Sequence, residues 1–265
     1  MRISIDHTTH YTYEHPVRYS TQYLRLVPKS SPRQRVLEWR LDTPARPLEL
    51  SDGYGNILHV LTIDKPVSEI VIRSRGAVET SNSIDEHADD EPKLSPLLFL
   101  RPTALTTADD GVVEFAERFR RRAGTLSGLR DVSAAILARL PFQSGVTAVH
   151  STAGEAFTAG NGVCQDHAHV FIACCRHLGI PARYVSGYIY SAGHAETAVA
   201  SHAWAEAWVV DRWRSFDVTN SRPAGPHHIR VAIGADYLEA SPVRGVRTGG
   251  GVESLVAHAL VAPQQ

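Results

Sequence analysis

The chain has 265 residues, 27 Lys+Arg against 28 Asp+Glu, and a net charge of −1, with 43% hydrophobic residues. That balance excludes a nucleic-acid or polyanion binder, which carries a basic excess, and leaves no electrostatic case for a membrane surface. The apolar content excludes intrinsic disorder, and the length predicts about two domains.

Three cysteines, two of them adjacent (Cys174, Cys175), cannot build a disulfide framework and suit a reducing, cytoplasmic compartment. The opening MRISIDHTTHYTY alternates polar and apolar residues and is not expected to act as a signal peptide. No apolar run reaches the length of a spanning helix.

Residues 2–13 read as a strand with Ile3, Ile5, His7, Thr9, Tyr11 and Tyr13 on one face. Further strands are expected over 19–27, 35–41, 57–63 and 69–78. His15-Pro16, residues 28–32, 52–56 and Asp64-Lys65-Pro66 supply the turns. This spacing predicts an N-terminal β-sandwich domain over 1–80 that carries no chemistry of its own. Residues 81–107 read as a linker, most clearly over 80–93. The five carboxylates between Asp85 and Glu91 lack the Gly-punctuated spacing of a calcium loop and read as a solvated connector.

A second domain is expected over 108–265, and its pattern changes period. Asp109-Asp110 starts a helix containing Val112, Val113, Phe115, Ala116 and Phe119. Arg118, Arg120, Arg121 and Arg122 follow as a solvated basic end. A second helix is expected over 131–140, stopped by Pro141. A third spans 164–178, with Cys164, Phe171, Cys175 and Leu178 on one stripe and Gly179 and Pro181 beyond its end. Strands follow over 182–190, 203–210, 213–219 and 253–261.

The candidate chemistry sits on three of these elements. In Asn161-Gly162-Val163-Cys164-Gln165-Asp166, Gly162 is read as a tight turn and the helix begins at the cysteine. A thiol at a helix N-terminus favours its thiolate, and the free N–H groups of the first turn can donate to a developing oxyanion. His202 opens a strand and suits a general base and acid for Cys164. Asp217, at the end of the next strand, can orient that imidazole and stabilise its charge. One tension remains. A two-residue hairpin centred on Asp211-Arg212 sets Asp217 opposite Glu206, roughly 13 Å along the strand from His202. Bringing the two together then requires a wider turn or a bulge near residues 208–212.

Other residues have plainer readings. Cys174 and Cys175 lie mid-helix among apolar neighbours and read as structural. His167, His169 and His177 lack the spacing of a metal pair. His227-His228 follows a Gly-Pro step and reads as a solvated loop pair. Glu206 reads first as a structural partner of Arg183 or Arg214, and second as a support for the imidazole. Trp204, Trp208 and Trp213 read as core or pocket wall.

Residues 162–169 (GVCQDHAH), 178–188 (LGIPARYVSGY), Ser201-His202-Ala203-Trp204 and Phe216-Asp217-Val218-Thr219-Asn220 resemble, in order and spacing, the motifs of the transglutaminase-like superfamily. The first 80 residues resemble the β-sandwich region that precedes this domain in bacterial members, and residues 228–234 resemble their C-terminal portion. The resemblance implies an α+β architecture, with the β-sandwich followed by a papain-like core in which a central helix packs on an antiparallel sheet. It also implies a Cys-His-Asp triad at Cys164, His202 and Asp217. Two departures stand out: position 218 is Val where Pro is the pattern, and the loop between the His and Asp strands is short.

The expected activity is that of a cysteine peptidase or amidase working through a thioester on a peptide or protein substrate. No metal or organic cofactor, no nucleic acid and no membrane is expected as partner; association of identical chains is compatible with the sequence. The alternatives are a protein-glutamine transglutaminase with an amine acceptor, a non-catalytic scaffold, and a zinc hydrolase built on the His-rich segments.

Overall fold

A computed structural model describes residues 1–81, 94–145, 147–191 and 201–263. Its order is β1 (Arg2–Leu24), β2 (Gln34–Asp42), β3 (Leu48–Ser51), β4 (Ile57–Ile63), β5 (Val67–Thr80), α1 (Asp110–Glu117), α2 (Leu126–Arg139), α3 (Ala153–Ala159), α4 (Cys164–His177), β6 (Ala182–Ile189), β7 (Ser201–Val209), β8 (Arg212–Phe216), β9 (His228–Gly234), α5 (Tyr237–Ala240), β10 (Val243–Gly249) and β11 (Glu253–Pro263). The architecture is α+β. Among the described residues the strands form one seven-stranded and one four-stranded sheet, both antiparallel.

The alternation read in residues 2–13 is borne out: Ile3, Ile5, His7, Thr9, Tyr11 and Tyr13 are all buried. The expected turn at His15-Pro16 does not break the strand. Pairing with β5 is irregular between Thr12 and Val17, so the proline's missing N–H falls where the ladder is already interrupted. β1 therefore serves two sets of partners. Residues 2–12 pair with β5 and residues 3–13 with β11, while residues 20–24 pair with β4 and residues 17–24 with β10. The last two strands, grouped by sequence with the second domain, complete the sheet of the first. A 23-residue strand offers two long edges, and an uncovered edge seeks a partner.

Residues 94–107 also depart from the linker reading. Phe99 is buried edge-on against Trp213, with ring centroids 5.3 Å apart, and Leu105 is buried. Arg176, near the end of α4, donates to the carbonyls of Phe99, Ala182 and Ala235 and to the Thr106 hydroxyl. The acidic stretch 82–93 lies outside the described residues.

In the second region α4 starts at Cys164, as read from sequence. Helix α1 closes at Glu117, before Phe119, whose ring still packs on Phe115. Helix α2 starts five residues earlier than expected, because the Thr125 hydroxyl caps it by accepting from Gly128 N–H. Helix α3 was not anticipated, although Thr152 and Glu155 form a capping box that the sequence does display. Apolar residues of α1, α2, α3 and α4 share one core with Ala203, Ala205 and Ala207 of β7; side chains this small let α4 lie close to the sheet.

The four-stranded sheet runs β8-β7-β6-β9. Its β9 edge is covered by side-chain amides of the N-terminal region, from β2 and from the turn before β4. Asn56 bonds both N–H and C=O of Ile233, and Gln34 does the same for Arg230. Ile3, Ile5 and Val78 pack with Tyr188, Ile229 and Val231 across the junction. The edge strand that carries the C-terminal part of the site is thus held from outside.

Candidate active site

Cys164 is the first residue of α4, and its side chain is partly exposed. Its approach loop is tied down at several points. Gln143 N–H donates to Gly162 C=O, and Gln165 Nε2 donates to Val149 C=O. Asp166, buried on the first turn, accepts from Val163 N–H at 2.8 Å and from the Thr147 hydroxyl at 2.7 Å. Gly162 does not turn the chain through a left-handed conformation. It matters because a Cβ there would meet the Asp166 carboxylate oxygen at 2.7 Å. The Cys164 N–H sits in a first turn with no carbonyl one turn earlier to bond.

His202 and Asp217 meet without the bulge or widened turn expected from the sequence. The hairpin turns on Val210-Asp211, one residue earlier than assumed, and both have positive φ, +53° and +61°. Two such residues match the twist of the flanking strands in a tight hairpin, at a strain cost for a β-branched valine. Trp208 then pairs with Trp213, and Ala205 with Phe216. Continued by one step, that register sets Asp217 level with Trp204, two residues from His202. This is the diagonal spacing across which long side chains reach. His202 Nε2 lies 2.9 Å from Asp217 Oδ2. With Nε2 engaged by Asp217, Nδ1 is the nitrogen available to Cys164, whose side chain hydrogen-bonds the imidazole.

On its other side His202 faces Gly187 of β6. A Cβ on Gly187 would come within 2.0 Å of Ile229 C=O and 2.9 Å of the Trp204 ring. Only glycine permits β9 to approach this closely, and that approach brings His228 in. His228 is a correction to the sequence reading: it is 6% exposed, not a solvated loop residue. Its Nε2 lies 2.9 Å from the same Asp217 Oδ2. Asn220 completes the cluster, with Nδ2 2.7 Å from Oδ2 and its N–H 3.2 Å from Oδ1. Both residues were missed as site members. The Asp217-x-x-Asn220 spacing, at which a carboxylate accepts from the N–H three residues on, was the legible signal for one of them.

The electrostatics follow from these contacts. Burial opposes ionisation of Asp217, but the hydrogen bonds from His202 and His228 and the charge of His202 outweigh it and hold the carboxyl well below the usual range. Burial likewise opposes a charged His202. Hydrogen bonds and charge from Asp217 and Cys164 reverse that and raise it to about 9. The arrangement favours a buried imidazolium beside a sulfur atom.

The remaining candidates take structural places. Glu206 lies opposite Arg183 in the sheet and pairs with it at 2.6 Å, away from the imidazole. Trp204 walls both imidazoles, with ring centroids 6.1 Å from His202 and 5.3 Å from His228. His167 Nε2–H donates to Leu140 C=O, and its Nδ1 faces the Thr219 hydroxyl at 2.8 Å, which fastens the Asp217 loop to α4. His169 Nε2 accepts from Tyr237 N–H, and His177 pairs with Glu117 on the surface. Burial pushes the Cys174 thiol up to about 12 and Cys175 well above its ordinary value, so neither is a ready nucleophile.

The α4 histidines do not converge on a metal site. Among the described residues the grouping with ligand-like geometry is His202, Asp217 and His228, whose two Nε2 atoms already share one carboxylate oxygen. Among the described residues, too, no helix is long and apolar enough to cross a membrane.

Residues 3–79 match the bacterial transglutaminase-like N-terminal region, and residues 114–218 match the transglutaminase-like superfamily core. An uncharacterized protein of Mycobacterium leprae is 30% identical over 275 aligned positions, covering 96% of each chain. One of Mycobacterium tuberculosis is 31% identical over 273, covering 92% of this chain and 87% of its own. A Cytophaga hutchinsonii protein, solved as a candidate cysteine protease, shares the fold with a TM-score of 0.78 at 22% identity, over 100% of this chain and 91% of that one. With both regions matched and relatives aligned along nearly their whole length, the chain belongs to the transglutaminase-like superfamily.

Proposed function

We propose that this protein is a cysteine-nucleophile acyl-transfer enzyme that cleaves peptide or carboxamide bonds through a thioester. Membership of the superfamily supports cysteine-based enzymatic chemistry in general; the finer reading rests on the site. The observation that carries it is the buried Asp217 carboxylate 2.9 Å from His202 Nε2, with Cys164 beside the same imidazole.

In this reading the Cys164 thiolate attacks the carbonyl carbon, and the oxyanion that forms is met by the N–H groups of the first α4 turn. The His202 imidazolium gives its Nδ1 proton to the departing amine, and the C–N bond breaks to leave a thioester. Water then attacks, with neutral His202 taking its proton, and the carboxylate product leaves as Cys164 is restored. Asp217 stabilises the imidazolium and holds the ring in place. Water is the acceptor we assign, because an amine must be bound in advance to outcompete bulk solvent. The three free thiols suit a reducing, cytoplasmic setting.

The test is intact-mass trapping with a library of peptides and carboxamides. A covalent adduct on the native protein, absent in Cys164→Ala, is expected. A native protein that cleaves library members yet forms its adduct on another residue, or on none, overturns the assignment.

A further inference from the structure

We infer that His228 is a positioning residue of this site: a neutral hydrogen-bond donor that fixes Asp217 so that the carboxylate can serve His202. The inference deepens the reading of Cys164, His202 and Asp217 as the reacting group and rests on it.

The tautomer of His228 follows from its partners. Its Nδ1 accepts from the Gly225 backbone N–H at 3.1 Å, so the ring proton sits on Nε2. That Nε2–H points at Asp217 Oδ2, 2.9 Å away. His202 reaches the same oxygen at the same distance, but its free Nδ1 is the one beside the thiol. The two histidines are thus inequivalent. One is locked by a backbone amide into a single donor form, and the other has its second nitrogen free to exchange a proton.

The surroundings keep them apart. Burial is the main force against a charged His228, and of the charged and titratable groups facing it His202 and Arg222 act with burial while Asp217 acts against it. His202 faces Asp217, Cys164, His228 and the side-chain amide of Asn220, with His167 nearby. Asp217 Oδ2 accepts from His202, Asn220 and His228 together, and the close approach of β9 permitted by Gly187 puts the last of these there.

The test needs no substrate. The rate of Cys164 alkylation by iodoacetamide is measured from pH 4 to 9 in native protein, His228→Gln, His228→Asn and His228→Leu. Glutamine places an amide N–H near the position of Nε2, whereas asparagine falls short and leucine offers no donor. Labelling in the Leu and Asn variants should slow about ten- to hundredfold in the acid range, as expected for loss of a hydrogen bond to a charged group, with the acid limb moved toward neutrality. The Gln variant should recover most of the native rate. If His228→Leu does not fold, the Gln–Asn difference alone decides.

A low-field proton resonance from the His202–Asp217 bond, retained in Gln and broadened in Asn, is the second readout. Native-like profiles in every folded variant overturn the inference. Native labelling no faster than that of His202→Ala would instead defeat the catalytic reading, and the proton resonance would still report on His228.

Discussion

Strand β7 carries two buried ionic contacts, His202 with Asp217 near its start and Glu206 with Arg183 four residues on, and they are built differently. Arg183 and Glu206 are directly opposite in the sheet and sealed on both sides. The guanidinium lies 4.0 Å from the centre of the Trp213 ring, and an arginine never loses its charge. The His202 contact crosses the register diagonally, at a place where the strand pairing has ended, and its charge depends on a proton. The first geometry fixes a charge in the core; the second keeps one available beside a sulfur. Burial and charge do not separate the two contacts, but register and titratability do.

Four experiments can break or sharpen this contrast. The largest effect is expected for Asp217→Asn, which should cut turnover about 10⁴-fold by disrupting tautomer and charge stabilisation, and should cost the fold, through the lost charge pair with His202, far less than it costs turnover. Retained turnover would show that another group orients His202. Arg183→Met should do the reverse. It removes the guanidinium partner of a buried carboxylate and should cost about 3–5 kcal/mol in chemical denaturation, with the Cys164 labelling rate of the folded fraction unaltered. Loss of labelling there would merge the two contacts into one network.

Gly187→Ala lies between them and should cost about 1–3 kcal/mol through overpacking against Ile229 and Trp204. It should also disturb His202, which a shifted imidazole resonance would report.

The broadest effect is in the pH dependence of stability. His202 is raised to about 9, so its contribution is fully present below pH 6.5 and is lost as pH climbs through 9. His7 and His169 are lowered by burial, to about 4 and about 3. The unfolded chain takes up protons that the native one refuses, and stability falls as pH drops from 6.5 to those values. These groups together place a maximum near pH 6.5 in a series of urea midpoints, and His169→Gln should flatten its acid side. An acid limb unchanged in that variant would remove His169 from the account.

Much of the site was legible because its signals are local. Gly162 to Asp166 announces a helix start, and His202 and Asp217 sit at strand ends in short motifs. What escaped was set by distance. Nothing near His228 in the sequence says that β9 lies along β6, so a Gly-Pro-His-His stretch looked solvated. The hairpin was misread by one residue because Val210 at positive φ contradicts the local preference of valine. In the N-terminal region the strand faces were readable from period two, but a 23-residue strand shared by four partners was not, since its final partners lie more than two hundred residues away.

That last feature bears on how the molecule comes to be. Of the described elements β1 is made before the others, and the strands that flank one of its edges, β10 and β11, come after them all. During synthesis the whole of the helical and catalytic portion must emerge while an apolar ribbon containing Ile3, Ile5 and Val17 waits unpaired on that side. Maturation is therefore gated by the arrival of the tail, and chains cut short before residue 243 should be clients of chaperones or prone to clump, whatever the condition of their active site.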